Sequence, residues 1–154
     1  MDLDPRVLLE ELARRQIVKA NMPDALHGTF PQQRNAILHP SKRKAFFCTR
    51  RSAKSFSVGT YLVYEAIKND GCNCLFVGLT RDSAKSIIWK DILRVIDQRL
   101  GLNASFNQTE LTMTLQNGSV IKCTGVDADE SDMNKLLGRK FRLVCIDEAS
   151  MYTI

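Results

Sequence analysis

The stretch that most constrains the fold runs from Phe46 to Ser57 and reads FFCTRRSAKSFS. The apolar residues 45–48 predict a buried strand, which leads into a loop of basic and small residues. Lys54 and Ser55 end this loop, and apolar residues at helical spacing then predict a helix over residues 56–69. Backbone N–H groups in such a loop, and the helix N-terminus, are natural donors to phosphate oxygens. The stretch therefore predicts a phosphate-binding turn.

The loop approximates the P-loop pattern GxxxxGK[ST], with Cys48 and Ala53 at the two glycine positions. In this interpretation Lys54 reaches the β- and γ-phosphates, and the Ser55 hydroxyl binds Mg²⁺. Glycine suits the loop because it accepts positive φ, so the two substitutions weaken the pattern. An ordinary basic surface turn is an equally good account of this segment alone. The remaining expected nucleotide-binding residues are Thr49, Arg50, Arg51, Ser52 and Ala53.

A second element follows about 90 residues later, where the chain reads FRLVCIDEA. The short apolar run 143–146 predicts a strand buried on both faces of a parallel sheet. Asp147 and Glu148 follow it directly, at the edge where α/β sheets bind ligands. This is a Walker B pattern, in which Asp147 holds Mg²⁺ and Glu148 acts as general base. A solvated acidic turn is the alternative, but the two motifs in this order favour a P-loop NTPase.

An adenine-binding segment is expected at Gln32 and Gln33, some 15 residues before the loop. A glutamine amide can pair with both the donor and the acceptor on the adenine edge, and Phe30 could stack on the base. An ordinary polar loop is the competing interpretation. We therefore divide the chain into residues 1–44, an N-terminal helix with the adenine-side loop, and residues 45–154, the ATPase core.

Hydrophobic periodicity predicts the other elements. Helices are expected over residues 4–20 and 83–100, a strand over 74–78, and an irregular segment over 21–44. Asn117 and Gly118 lie between two alternating runs, which indicates a β-hairpin. The expected fold is α/β of the ASCE or RecA-like P-loop class, with a mostly parallel sheet, helices on both faces and one hairpin.

Composition limits the classes of function that are compatible with the chain. The net charge of +5 is compatible with a polyanionic partner but does not establish one. No apolar run approaches the roughly 20 residues of a membrane helix, and the N-terminus lacks the charge order of a secretory signal. Five cysteines in mostly apolar settings favour reduced thiols in a cytosol, and the pair Cys72 and Cys74 is a poor basis for structural zinc.

The ordered motifs FPQQ, CTRRSAKS, Thr80-Arg81 after a strand, TGVD, LLGRKF and VCIDEAS resemble the N-terminal ATPase domain of the large terminase subunit of tailed bacteriophages. The resemblance covers about residues 32–150, and the arginines in the loop are its most characteristic part. It implies ATP and Mg²⁺ as cofactors and double-stranded DNA as the cargo of a packaging motor. It also implies a portal and a small terminase subunit as partners, a homo-oligomeric ring, no membrane, and the host cytoplasm.

The resemblance further implies that Arg50 or Arg51 stabilises transition-state charge. Because the chain stops six residues after Glu148, it also implies a fragment of a longer protein whose own hydrolysis is weak or nil. Two alternatives stay open. A superfamily 2 helicase-like ATPase should show a DEAD- or DEAH-like box, whereas this chain has Asp147-Glu148-Ala149-Ser150. The departures at Cys48 and Ala53 suggest a non-hydrolysing nucleotide- or DNA-binding module.

Overall fold

A computed structural model describes residues 24–49, 51–128 and 138–151, with the isolated residues Pro5, Arg6, Leu9, Glu10, Ala13, Asn134 and Leu136. The chain has an α/β fold. The first two helices are α1 (Pro31–Leu38) and α2 (Lys54–Lys68). The third, α3, is continuous over residues 81–100. It consists of an α-helical turn Arg81–Ser83, a π-helical stretch Ala84–Leu93 and an α-helical end Arg94–Leu100. The strands are β1 (Asn73–Gly78), β2 (Ser105–Asn107), β3 (Thr112–Thr114), β4 (Val120–Gly125) and β5 (Leu143–Ile146).

The five strands form one mixed sheet in the order β2-β3-β4-β1-β5. The central strand β1 pairs in parallel with β4 on one side, with Phe76 opposite Cys123. It pairs in parallel with β5 on the other, with Phe76 opposite Cys145. β2 pairs antiparallel with β3, and β3 pairs antiparallel with β4. Two of the four pairings are therefore antiparallel, so the sheet is mixed and not mostly parallel as expected. The parallel half of the sheet therefore ends at β5, whose carboxyl end carries the acidic pair.

One face of the sheet carries the core. Helices α2 and α3 contact each other and share one apolar cluster with the strands. Their buried side chains recur three and four positions apart, as expected for a helix face. The sheet contributes Cys74, Phe76, Met113, Ile121 and Cys123 to the same cluster. The expectation of helices on both faces of the sheet stays a prediction.

Most expected elements are present. The predicted α/β class, the helix after the loop and the strands at β1 and β5 are confirmed. The expectation that β5 is buried on both faces is wrong, because β5 is an edge strand in which Val144 and Ile146 are 47% and 55% exposed. The hairpin between β3 and β4 turns at Asn117 and Gly118, and the Gly118 φ of +80° is a conformation that favours glycine. Thr80 caps α3 by accepting a hydrogen bond from the Ser83 N–H at 3.1 Å. None of the described helices combines the length and apolar character needed to cross a membrane.

Other parts of the sequence analysis also differ from the structure. The apolar residues 45–48 form no strand, and Phe47 is 96% exposed. The segment expected to be irregular contains α1, which begins at Pro31 because proline suits the first helical position. β2 was not predicted. The expected helix over residues 4–20 lies mostly outside the described residues, although Pro5, Arg6, Leu9, Glu10 and Ala13 are helical. The division into two regions at residue 44 stays a prediction.

Candidate active site

The basic loop enters α2 through backbone conformations that glycine normally adopts. Arg51 has φ of +63° and Ala53, the residue before Lys54, has φ of +57°. Ala53 occupies the position at which the sequence pattern expects glycine, so this position has a backbone conformation that favours glycine without its usual residue. The first N–H groups of α2 have no intrahelical partner, because no earlier turn supplies acceptors. This helix end is suited to an anion.

The acidic pair lies at a sharp turn directly after β5. The Asp147 N–H donates to the Val77 C=O at 2.9 Å, which continues the pairing of β5 with β1 by one residue. Glu148 then takes φ of +49°, and its N–H donates to Asp147 Oδ1 at 3.0 Å. A positive φ in a residue other than glycine is strained, and such strain is concentrated at functional positions. The turn places both carboxylates at the edge of the sheet.

Lys54 joins these two elements. Its Nζ lies 3.2 Å from Asp147 Oδ1 and 3.3 Å from Glu148 Oε1, although Lys54 and Glu148 are 94 positions apart in the sequence. The two sequence motifs predicted that these three side chains share one site, and the structure brings them together. Because all three are partly exposed to solvent, we expect the ion pairs to contribute at most about 1 kcal/mol to the free energy of unfolding.

The pKa of Lys54 reflects two opposing effects. Burial lowers it, and the hydrogen bonds and charges of Asp147 and Glu148 raise it, so that the pKa lies above its ordinary value of 10.5. Lys54 is therefore a cation at neutral pH. The site holds one cation between two carboxylates, which is an arrangement that can exchange partners when phosphate groups arrive.

A groove of about 450 Å³ extends from this site along the open edge of β5. Residues 42–47 form one wall, and residues 143–149 form the other. Lys54, Val58 and Tyr61 of α2 complete its lining. Lys44 fixes the first wall to the helices, because its Nζ donates to the Tyr61 hydroxyl at 3.0 Å and to the Ile37 C=O. Tyr61 was not singled out from the sequence, although its spacing of three from Val58 places it on the same helix face.

The structure gives less direct support for the other expected site residues. Arg50 lies outside the described residues. Thr49, Arg51 and Ser52 are exposed and make no side-chain hydrogen bond within the described part of the chain. Ser55, the second residue of α2, is half-buried. Hydroxyl and carboxylate oxygens are ligands that Mg²⁺ prefers, so Ser55 and Asp147 provide a suitable but incomplete ligand set that water would have to complete. Within the described residues, no group of three or more His, Cys, Asp or Glu side chains is placed to hold a metal ion.

The two glutamines are not part of the groove. Gln33 Oε1 accepts a hydrogen bond from the Phe30 N–H at 3.0 Å and so caps α1. Gln33 Nε2 is buried without a partner, and Gln32 is exposed. Neither side chain lines the groove beside Lys54. Adenine recognition by Gln32 or Gln33 therefore stays a prediction that no contact of the described residues supports.

Comparison of the chain with protein-family models, with curated proteins and with solved structures finds no match.

Proposed function

We propose that this chain is a P-loop ATPase domain of the ASCE or RecA-like class. The observation that carries the proposal is the pairing of Lys54, at the N-terminus of α2, with Asp147 and Glu148 at the carboxyl end of a parallel strand. A helix N-terminus, a lysine and two carboxylates at one sheet edge are the parts that nucleotide hydrolysis requires. The positive φ at Ala53 supports the same assignment, because the motif has glycine at this position and glycine readily adopts positive φ.

Each residue has a distinct role in this proposal. Lys54 leaves the carboxylates to neutralise phosphate charge, and the N–H groups of the loop and of α2 donate to the phosphate oxygens. Ser55 and Asp147 hold Mg²⁺. Bound Mg-ATP supplies the phosphoryl group that is transferred to water. Glu148 orients that water and accepts its proton. Arg51 or Arg50 stabilises the developing charge.

The cellular role that we propose is DNA packaging, on the basis of the resemblance to the large terminase subunit. ATP hydrolysis would drive double-stranded DNA into a capsid, in a ring of identical subunits with a portal and a small terminase subunit as partners. The net charge of +5 and the exposed Lys42 and Arg43 support contact with a polyanion. The helicase-like alternative has no comparable support, since Asp147-Glu148-Ala149-Ser150 is not a DEAD or DEAH box.

A second candidate is a module that binds nucleotide without hydrolysing it. One observation favours it. Both positive-φ positions before α2 are occupied by side-chain-bearing residues, Arg51 and Ala53, and their β-carbons restrict how closely the loop can approach phosphate. Such a loop could hold a nucleotide loosely and fail to align it for attack by water.

ATP turnover by matched glutamate variants separates the two candidates. Glu148 and Glu110 are comparable, since their side chains are 56% and 60% exposed and each pairs with one lysine. We expect turnover by the wild-type chain, measured as phosphate release with and without double-stranded DNA. Turnover by the Glu148→Gln variant should fall by about 10²-fold or more, while nucleotide binding is retained. Turnover by Glu110→Gln should match that of the wild type. Equal turnover by Glu148→Gln and wild type would refute hydrolysis at this site, whereas binding without turnover in the wild type would establish the second candidate.

A further inference from the structure

The hydrogen bonds and ion pairs of the Lys54 ammonium in the described part of the chain go to the acidic pair alone. Its Nζ lies 3.2 Å from Asp147 Oδ1 and 3.3 Å from Glu148 Oε1. The contact with Glu148 joins residues 94 positions apart, so the local backbone does not impose it. One ammonium group therefore lies against both carboxylates that the proposed function assigns to Mg²⁺ and to the attacking water.

The carboxylate that Lys54 approaches is held in place by the turn after β5. Asp147 Oδ1 accepts a hydrogen bond from the Glu148 N–H at 3.0 Å, and the Asp147 N–H donates to the Val77 C=O at 2.9 Å. Only 18% of the Asp147 side chain is exposed, compared with 56% for Glu148. A metal ion that approaches Asp147 therefore meets the ammonium charge of Lys54 at the same carboxylate.

The charges of these three side chains favour one cation in the site over two. Asp147 and Glu148 supply two negative charges, and Lys54 supplies one positive charge. Without Lys54, the acidic pair would match the charge of a divalent ion. With Lys54 in place, a divalent ion would bring three positive charges against two negative ones. Repulsion between a single and a double positive charge about 4 Å apart corresponds to about tenfold or more in affinity, even in water.

We propose that Lys54 takes the place of the metal ion in the nucleotide-free protein and so excludes a free divalent cation. The proposal rests on the proposed function, because the phosphates of a nucleotide are the partner that would draw Lys54 away from the carboxylates. Those phosphates carry enough negative charge for the lysine and the metal ion together. Lys54 then links metal binding to nucleotide binding, in addition to contacting phosphate.

Binding of Mn²⁺ in the absence of nucleotide tests the proposal. Mn²⁺ suits the same carboxylate and water ligands as Mg²⁺, and electron paramagnetic resonance measures its free concentration. We expect Lys54→Met to bind Mn²⁺ at least about tenfold more tightly than the wild type. Lys68→Met is the matched control and should bind as the wild type does. Lys68 lies at the other end of α2, and its ammonium donates to the Tyr64 hydroxyl and not to a carboxylate.

A double variant locates the effect at the acidic pair. Lys54→Met, Asp147→Asn should bind Mn²⁺ at least about tenfold more weakly than Lys54→Met, with circular dichroism confirming that both variants fold. Equal Mn²⁺ affinity of the wild type and Lys54→Met would overturn the proposal. A gain that Lys68→Met shares, or that persists without the Asp147 carboxylate, would overturn it as well. Failure of the proposed function has a different signature, which is equal affinity of the wild type and Lys54→Met for Mg-ATP.

Discussion

Replacing Ala53 by glycine should stabilise the protein. Ala53 precedes α2 with φ of 57° and ψ of 29°, in the left-handed region, and its side chain is exposed. The β-carbon of an L-residue approaches the following carbonyl in this conformation, at a cost of about 1–2 kcal/mol. Glycine has no β-carbon and removes this strain.

The expected gain is smaller than the strain, because glycine also makes the unfolded chain more flexible. That effect costs about 0.4–1 kcal/mol. The free energy of unfolding of the Ala53→Gly variant should therefore rise by about 0.5–1 kcal/mol. For a chain of this length, a change of about 1 kcal/mol corresponds to a rise in Tm of roughly 2–4 °C.

Urea unfolding followed by circular dichroism measures this change, with Ala36→Gly as the matched control. Ala36 lies within α1, where backbone dihedrals are right-handed, so glycine there should lower the free energy of unfolding by about 0.5–1 kcal/mol. The two alanine-to-glycine substitutions should thus have opposite signs. A destabilised Ala53→Gly variant would refute the reasoning, because it would show that Ala53 is not strained.

Three further predictions concern other parts of the chain. Burial raises the pKa of the Cys123 and Cys145 thiols to about 12. At pH 8, iodoacetamide should therefore modify the exposed Cys48 well before either of them, which peptide mass mapping over time would measure. The pKa of Lys54 is raised above its ordinary value of 10.5, so its ion pairs stabilise the fold fully below 10.5 and are lost as the pH rises through the higher folded value. The difference in the free energy of unfolding between wild type and Lys54→Met should therefore be constant from about pH 7 to 9 and shrink as the pH rises beyond 10.5. Gly125→Ala should lower the free energy of unfolding in urea by about 1–3 kcal/mol or more, because an added Cβ would overlap the backbone at the start of α3.

The sequence predicted the elements whose patterns are local. The helix at α2, the strand at β5 and the hairpin at Asn117 follow from apolar spacing and turn chemistry, and the structure confirms them. The meeting of Lys54 with Asp147 was also expected, since both motifs are typical of the ligand-binding edge of an α/β sheet, although residues 45–48 before α2 form no strand. The α/β class is therefore established, while the P-loop class rests on the proposed function.

The structure differs from the sequence predictions where the local residue pattern does not determine the conformation. Residues 45–48 have strand-forming side chains, but a strand needs a partner edge, and the groove separates them from β5. β2 is three residues long and depends on its pairing with β3. Gln33 looks like a base-binding side chain in the sequence, yet its amide oxygen caps α1, because capping competes for the same hydrogen-bonding group.

The binding of Mg-ATP to Lys54 variants tests the central claim most directly. Calorimetric dissociation constants would be compared for the wild type, for Lys54→Met, and for Lys68→Met, which changes a lysine at the other end of the same helix. If Lys54 neutralises phosphate charge, Lys54→Met should weaken binding by about tenfold or more, and Lys68→Met should bind as the wild type does. Equal affinity of the wild type and Lys54→Met would contradict the assignment of this loop as a nucleotide site.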